Sequence, residues 1–283
     1  MKIYGKVYSV DKKQRIISII INKRLEYFHM SNKVMRDFKA YLYKKPYVFL
    51  DVEDEKVRIN GIKCYPIKYF IKIIVPRIKR TNVYYDLSMI RRSIRSLMNR
   101  IGMKMFLDLE FSLPTSNRRH IPEIIQYGMI IEDENGNIVF EDSSLVKPTR
   151  RSSLNKRTLK FLSLDYKNFN NACSYIEFYQ LLERLIKEYD VKIIAWGKND
   201  IIALEKSFKI NHLMPLDVQN RYMNLMQVMK NYYNYKQEKG LFSTYHDLTN
   251  TKDVIQTHDA FQDAFITREV FHLFKQKINE DEN

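Results

Sequence analysis

A chain of 283 residues, 45% of them hydrophobic, can bury a sizeable core and form one or two domains; with only 7 Gly and 7 Pro it is neither collagen-like, low in complexity nor disordered. Its net charge is +15, and all of it sits in the first third: residues 1–100 hold 24 Lys and Arg against 8 Asp and Glu, a net +16, while the remainder holds 24 against 25. That asymmetry favours a polyanion-binding module, nucleic acid foremost, joined to a near-neutral domain; the plain alternative is a basic surface that only aids solubility.

Residues 1–75 read as short strands. "KIYGKVYSV", "RIISIII", "LEYFHM", "YVFLDVE", "KVRING" and "CYPIKYFIKII" alternate or are rich in β-branched and aromatic residues. One helix interrupts them at about Lys33 to Lys44, with Val34, Phe38, Tyr41 and Leu42 at helical spacing. Such a run predicts a small OB-like β-barrel over residues 1–75. Within it, "EYFHMSN" (Glu26 to Asn32) resembles the cold-shock strand whose aromatics and His stack on bases. The resemblance makes Tyr27, Phe28 and His29 candidate nucleic-acid contacts. Alternate aromatics in a strand are also ordinary core, and both readings stand at this point.

Residues 76–102 read as a basic linker, "PRIKR", followed by an amphipathic helix with Leu87, Ile90, Ile94, Leu97, Met98 and Ile101 on one side. Arg91, Arg92, Arg95 and Arg100 lie on the other, either as a rail for phosphates or as a solvated charged face. From residue 103 to 283 the pattern is strand–strand–strand–helix–strand–helix with a final helix. "MKMFLDLEF", "EIIQYGMII" and "NIVFEDSSL" are the strands, and "DENGN" is the hairpin turn between the second and third. "SYIEFYQLLERLIKEY" is an amphipathic helix and "VKIIAW" a buried strand of the parallel type. The class is α/β, a mixed sheet flanked by helices.

Carboxylates mark this second region. Asp108 and Glu110 stand two apart in an apolar strand, so both point to one face, roughly 7 Å apart. Two such groups repel unless a cation neutralises them, and hard oxygens suit magnesium. Asp200 follows "VKIIAW" and opens a helix, where α/β sheets collect active-site groups; an ordinary helix cap is the alternative. Asp263 lies on the last helix. His258, five positions earlier, belongs on another face of an ideal helix and so fits the loop before it.

These residues, Asp108-x-Glu110, Asp200 in "AWGKNDIIAL" and His258-x-Ala260-x-x-Asp263, resemble the motifs of the DEDD exonucleases, which have an RNase H-like fold. His five residues before the last Asp is the mark of the DEDDh branch. Within it, "DLEFS", "PEIIQYG", "SLVKP" and "AWGKND" resemble the KapD type and the histone-mRNA exonucleases. Two departures are Phe111 where Thr or Ser often follows the Glu, and Thr257 where Gly often precedes the His. Phe111 is either a base-contacting wedge or core.

The resemblance implies that Asp108, Glu110, Asp200 and Asp263 hold two Mg²⁺ (or Mn²⁺) and that His258 is the general base. It implies a metal-dependent 3′→5′ exonuclease that releases nucleoside 5′-monophosphates, and a homodimer, since many relatives dimerise. Glu123, Gln126, Trp196 and Asn199 fall in the matched segments without an assigned role. Single-stranded RNA is the expected substrate: the barrel tilts the reading towards RNA, although barrels of this kind bind single-stranded DNA too and the catalytic motifs do not distinguish the two. A DNA-directed exonuclease and a catalytically silent nucleic-acid-binding regulator are the alternatives. Met1 runs straight into a strand-like pattern, no apolar run approaches the roughly 20 residues of a membrane span, and Cys64 and Cys173 form no disulfide or zinc pattern. The expected setting is the cytoplasm, with no membrane partner.

Overall fold

The computed structural model of the chain describes residues 1–78, 80–114, 120–235, 237–251 and 257–280. It divides into two units, Met1–Ile94 with Asn231–Lys236, and Arg95–Lys230 with Gln237–Asn283.

The first unit is built on alternation. In β1 (Lys2–Asp11), Gly5 and Val7 are buried while Lys2, Tyr4, Lys6 and Tyr8 are exposed. β2 (Ile16–Ile21) and β3 (Arg24–His29) form a hairpin whose two turn residues, Asn22 and Lys23, have φ of 48° and 64°, as its tight turn requires. Helix α1 (Asn32–Leu42) starts at Ser31, whose hydroxyl accepts from Val34 N, and buries Val34, Met35 and Leu42 in the barrel core. β4 (Tyr47–Val52), β5 (Val57–Ile59), β6 (Ile62–Pro76) and β7 (Thr81–Asp86) follow.

The strand order is β3-β2-β1-β4-β6, and β3 returns to β6 through the parallel pairs Phe28↔Tyr65 and His29↔Pro66. Five strands therefore close into the expected barrel around Val7, Ile17, Ile19, Phe28, Leu50 and Phe70. The stretch read as a linker differs. Arg77 N donates to Arg80 O, and β7 pairs with the far end of β6. α2 (Leu87–Arg100) then begins where Asp86 Oδ1 accepts from Ser88 N at 3.0 Å and Met89 N at 3.3 Å.

The second unit holds a mixed six-stranded sheet. Its strands are β8 (Lys104–Phe111), β9 (Ile124–Glu132), β10 (Ile138–Lys147), β11 (Cys173–Ser174), β12 (Lys192–Ala195) and β13 (Tyr222–Asn224), in the order β11-β10-β9-β8-β12-β13. β8, β9 and β10 are antiparallel neighbours, and β12 runs parallel to β8 as its uniform burial suggests. The helices are α3 (Lys156–Phe161), α4 (Tyr175–Tyr189), α5 (Asn199–Ile210), α6 (Leu225–Tyr233), α7 (Leu241–Thr249) and α8 (Ala260–Glu280). Met105, Leu107 and Leu109 of β8 join Phe178, Leu182 and Leu204 in one core on one sheet face. Phe106 points the other way, its ring edge-on to Phe271 of α8 at 5.5 Å. The strand thus carries α4 and α5 on one side and α8 on the other.

Candidate active site

The same alternation sends Asp108 and Glu110 to the α8 side with Phe106. Across the ladder Asp108 pairs with Gly128 and Glu110 with Gln126. Gly128 is where the helix meets the sheet: a Cβ there would lie 2.3 Å from Ala260 O and from Phe261 N. The missing side chain lets the first turn of α8 rest on β9. Asp263, one turn in, is thereby brought to the β8 pair, and carboxylate oxygens of Asp108, Glu110 and Asp263 lie within 4.8 Å of one another.

Asp200 arrives from a third direction. β12 ends beside β8, Gly197 turns the chain at φ +98°, and α5 begins. Asp200 Oδ1 accepts from Leu109 N at 3.1 Å, on the strand segment between the two β8 acids. Glu110, Asp200 and Asp263 are buried and Asp108 is partly exposed.

Crowding governs their protonation. Burial, followed by repulsion from Asp200, Asp263 and Glu110, holds the Asp108 carboxyl well above the usual carboxylate range. Burial and the charges of Asp263 and Asp200 push Glu110 up to about 8. Asp200 is raised to about 7, chiefly by burial, against the lowering effect of the backbone donors at its own N–H and at Leu109. A set of repelling carboxyls with hard oxygen donors suits a divalent cation.

His258 sits before α8, which starts at Ala260, in the loop position that its spacing demanded. Its backbone is left-handed at φ +54°, a conformation uncommon for a residue with a side chain. Its ring packs on Phe161 of α3, with centroids 4.1 Å apart. Asp259 and Phe161 escaped the sequence reading. Asp259 adds to the field on Asp108 and Glu110, and its oxygens accept from Gln262 N at 3.0 Å and Gln126 Nε2 at 2.8 Å. It caps α8 and ties that helix end to β9; an Asp three residues before Gln262 was the available signal. No local pattern marks Phe161.

Other expected contacts fall elsewhere. Phe28 is fully buried and stacks on Tyr65 inside the barrel, so it is a core residue and not a base contact. Its neighbour Tyr27 faces out and is exposed, as period two requires. His29 is half-buried, and burial and the Arg15 charge lower its pKa. Phe111 packs with Leu107 and Leu109 against the core on the face away from the acids. Arg91 and Arg95 do not form a free rail: Arg91 Nε donates to Tyr232 O at 3.0 Å and Arg95 Nε to Ile278 O at 2.7 Å. Arg92 is exposed. Glu123 organises a loop, accepting from Thr149 N, Ser153 Oγ and Arg150 Nε. Trp196 Nε1 donates to Lys239 O, and Asn199 is exposed at the start of α5.

No family model matches the chain. A curated relative does: the probable 3′-5′ exonuclease KapD of Bacillus subtilis (strain 168), 28% identical over 177 residues, which cover 61% of this chain and 84% of the relative. Among solved structures, the nuclease domain of 3′hExo, a DEDDh family member bound to rAMP, shares the fold with a TM-score of 0.55 at 14% identity, over 62% of this chain and 94% of that one. E. coli exonuclease I in complex with a dT13 oligonucleotide shares it with a TM-score of 0.51 at 16% identity, over 63% of this chain and 42% of that one. The chain is thus similar in sequence to a probable 3′-5′ exonuclease, and its second unit has the fold of the DEDDh nuclease domain of 3′hExo.

Proposed function

We propose that the chain is a metal-dependent exonuclease that removes nucleoside 5′-monophosphates one at a time from the 3′ end of single-stranded RNA. The observation that carries this reading is the convergence of four acids from β8, α5 and α8. Asp108, Glu110, Asp200 and Asp263 would hold two Mg²⁺ or Mn²⁺. When bound, such ions offset the charge developing on the scissile phosphate and make water more acidic. His258 takes the proton of the attacking water, a task suited to an imidazole near neutral pH. The P–O bond to the 3′ oxygen of the preceding nucleotide breaks, that oxygen takes a proton from solvent and becomes the new 3′-hydroxyl, and the phosphate, now carrying the water oxygen, leaves with the released nucleotide. Gln126 and Asp259 position α8, and through it Asp263.

RNA is supported by the charge excess of residues 1–100, by the closed barrel and by the rAMP bound to the 3′hExo domain. DNA is the second reading, supported by the dT13 bound to E. coli exonuclease I. An equimolar competition between end-labelled RNA and DNA of one sequence separates them. RNA consumed first, with 5′-monophosphates as product, is expected. Equal consumption removes the preference, faster loss of DNA makes the second reading correct, and binding without turnover of either leaves a silent regulator.

A further inference from the structure

The outward face of the barrel strand β1 carries a ladder that the acid cluster does not use. Lys2, Tyr4 and Lys6 alternate on it and Tyr8 follows at a bulge between Val7 and Ser9; all four are exposed, with Tyr4 at 67% and Tyr8 at 55%. β4 continues the surface. Tyr4 pairs with Phe49 and Lys6 with Tyr47, and the Tyr4 and Phe49 rings stack at 5.6 Å with planes 17° apart. Tyr47 is also exposed. Neither Lys2 nor Lys6 has an acidic partner among the described residues, and the acid opposite Lys2, Asp51, accepts from Tyr69 Oη at 3.0 Å. Lys2, Tyr4, Lys6 and Tyr47 also wall a cavity of about 610 Å³.

We propose that this β1–β4 face is a stacking platform for single-stranded nucleic acid, with Tyr4, Tyr8, Tyr47 and Phe49 meeting bases and Lys2 and Lys6 meeting phosphates. The proposal deepens the exonuclease reading and rests on it for the identity of the ligand. Aromatic rings on water-exposed strands, interleaved with lysines, match the two needs of a single strand: an apolar plane for each base and a cation for the backbone between. A duplex hides its base planes, so the rings would gain nothing from it. A protein partner that buried the rings would also strip water from two unpaired ammonium groups, which is costly. The platform lies on β1 and β4, not on the β3 segment that the cold-shock resemblance singles out, where Phe28 is core.

The test is fluorescence anisotropy of a 5′-labelled 20-nucleotide single-stranded RNA and its DNA counterpart, with the full chain in EDTA so that nothing is cleaved. Tyr4→Ala/Tyr8→Ala should weaken binding by about tenfold or more, and Tyr4→Phe/Tyr8→Phe should restore it, because a stacking face remains. Lys2→Gln/Lys6→Gln should reduce the slope of log affinity against log salt by roughly 1 to 1.5. Tyr166→Ala, at an exposed tyrosine of the other unit, should bind as the unaltered protein does. Unchanged affinity in the double alanine variant, or a phenylalanine variant as weak as the alanine one, overturns the platform. Hydrolysis of the p-nitrophenyl ester of thymidine 5′-phosphate by the unaltered protein in Mn²⁺ reports on the acid cluster alone. Its failure counts against the exonuclease, and loss of binding in the ladder variants would still stand for the platform.

Discussion

Glu110 and Asp200 show what the site costs the fold. Their carboxyls, raised to about 8 and about 7, keep protons in the folded, cation-free protein that an unfolded chain releases near pH 4. The stability they contribute is full below about pH 4 and is lost as pH rises through 7 to 8. Glu110→Gln removes one repelling charge, so in EDTA it should be more stable than the unaltered protein at pH 8, by ~1–3 kcal/mol, and the gap should close towards pH 5. Thermal unfolding across that range checks it; a gap independent of pH would mean that the acids are not crowded. Gly128 is the other decisive residue. A methyl there meets the backbone of Ala260 and Phe261, which cannot rotate away. Gly128→Ala should shift α8 and Asp263 and lower turnover by about 100-fold or more. A variant with normal turnover would show that the helix end is not held where the strand glycine allows it.

At the level of elements, legibility followed period and distance. The two-residue spacing of Asp108 and Glu110 needed no tertiary knowledge, because a strand's faces alternate. Asp200 and Asp263 had individually bland readings, and only their order within a family pattern singled them out. The barrel strands were visible as alternation, but the β3–β6 pairing that closes them joins segments far apart in the chain. Alternation announced that Tyr27 and Phe28 face opposite ways and left open which was inside. The Arg91 and Arg95 partners lie 141 and 183 residues away, so the helix looked like an open basic face. The same blindness hid the partners of Glu132 at the far end of β9. Its oxygens accept from Arg268 Nε and from His272 Nε2, the latter at 2.8 Å, with Lys104 Nζ 3.6 Å away. The side chain is fully buried, so Glu132→Gln takes the carboxylate away from the buried Lys104 ammonium and should destabilise the unit by about 3 kcal/mol. Denaturant unfolding measures this; a loss below ~1 kcal/mol would place the cluster among dispensable ion pairs.

For the whole molecule, the division of charge is the feature that composition showed first. Residues 1–100 carry a net +16, and the acids that would hold cations all come from the part with almost none. Affinity for a polyanion should therefore be strongly salt-dependent, while hydrolysis of a small phosphodiester should not be. One experiment tests whether Asp108, Glu110, Asp200 and Asp263 form the cutting centre of a 3′→5′ exonuclease. A 5′-labelled single-stranded RNA is incubated with the protein in Mg²⁺, Mn²⁺ or EDTA, beside Asp108→Asn and His258→Ala, and resolved on a denaturing gel. A ladder is expected that shortens from the 3′ end, vanishes in EDTA and falls by about 100-fold or more in both variants. Cleavage that persists in EDTA, or an Asp108→Asn protein as active as the unaltered chain, would contradict it.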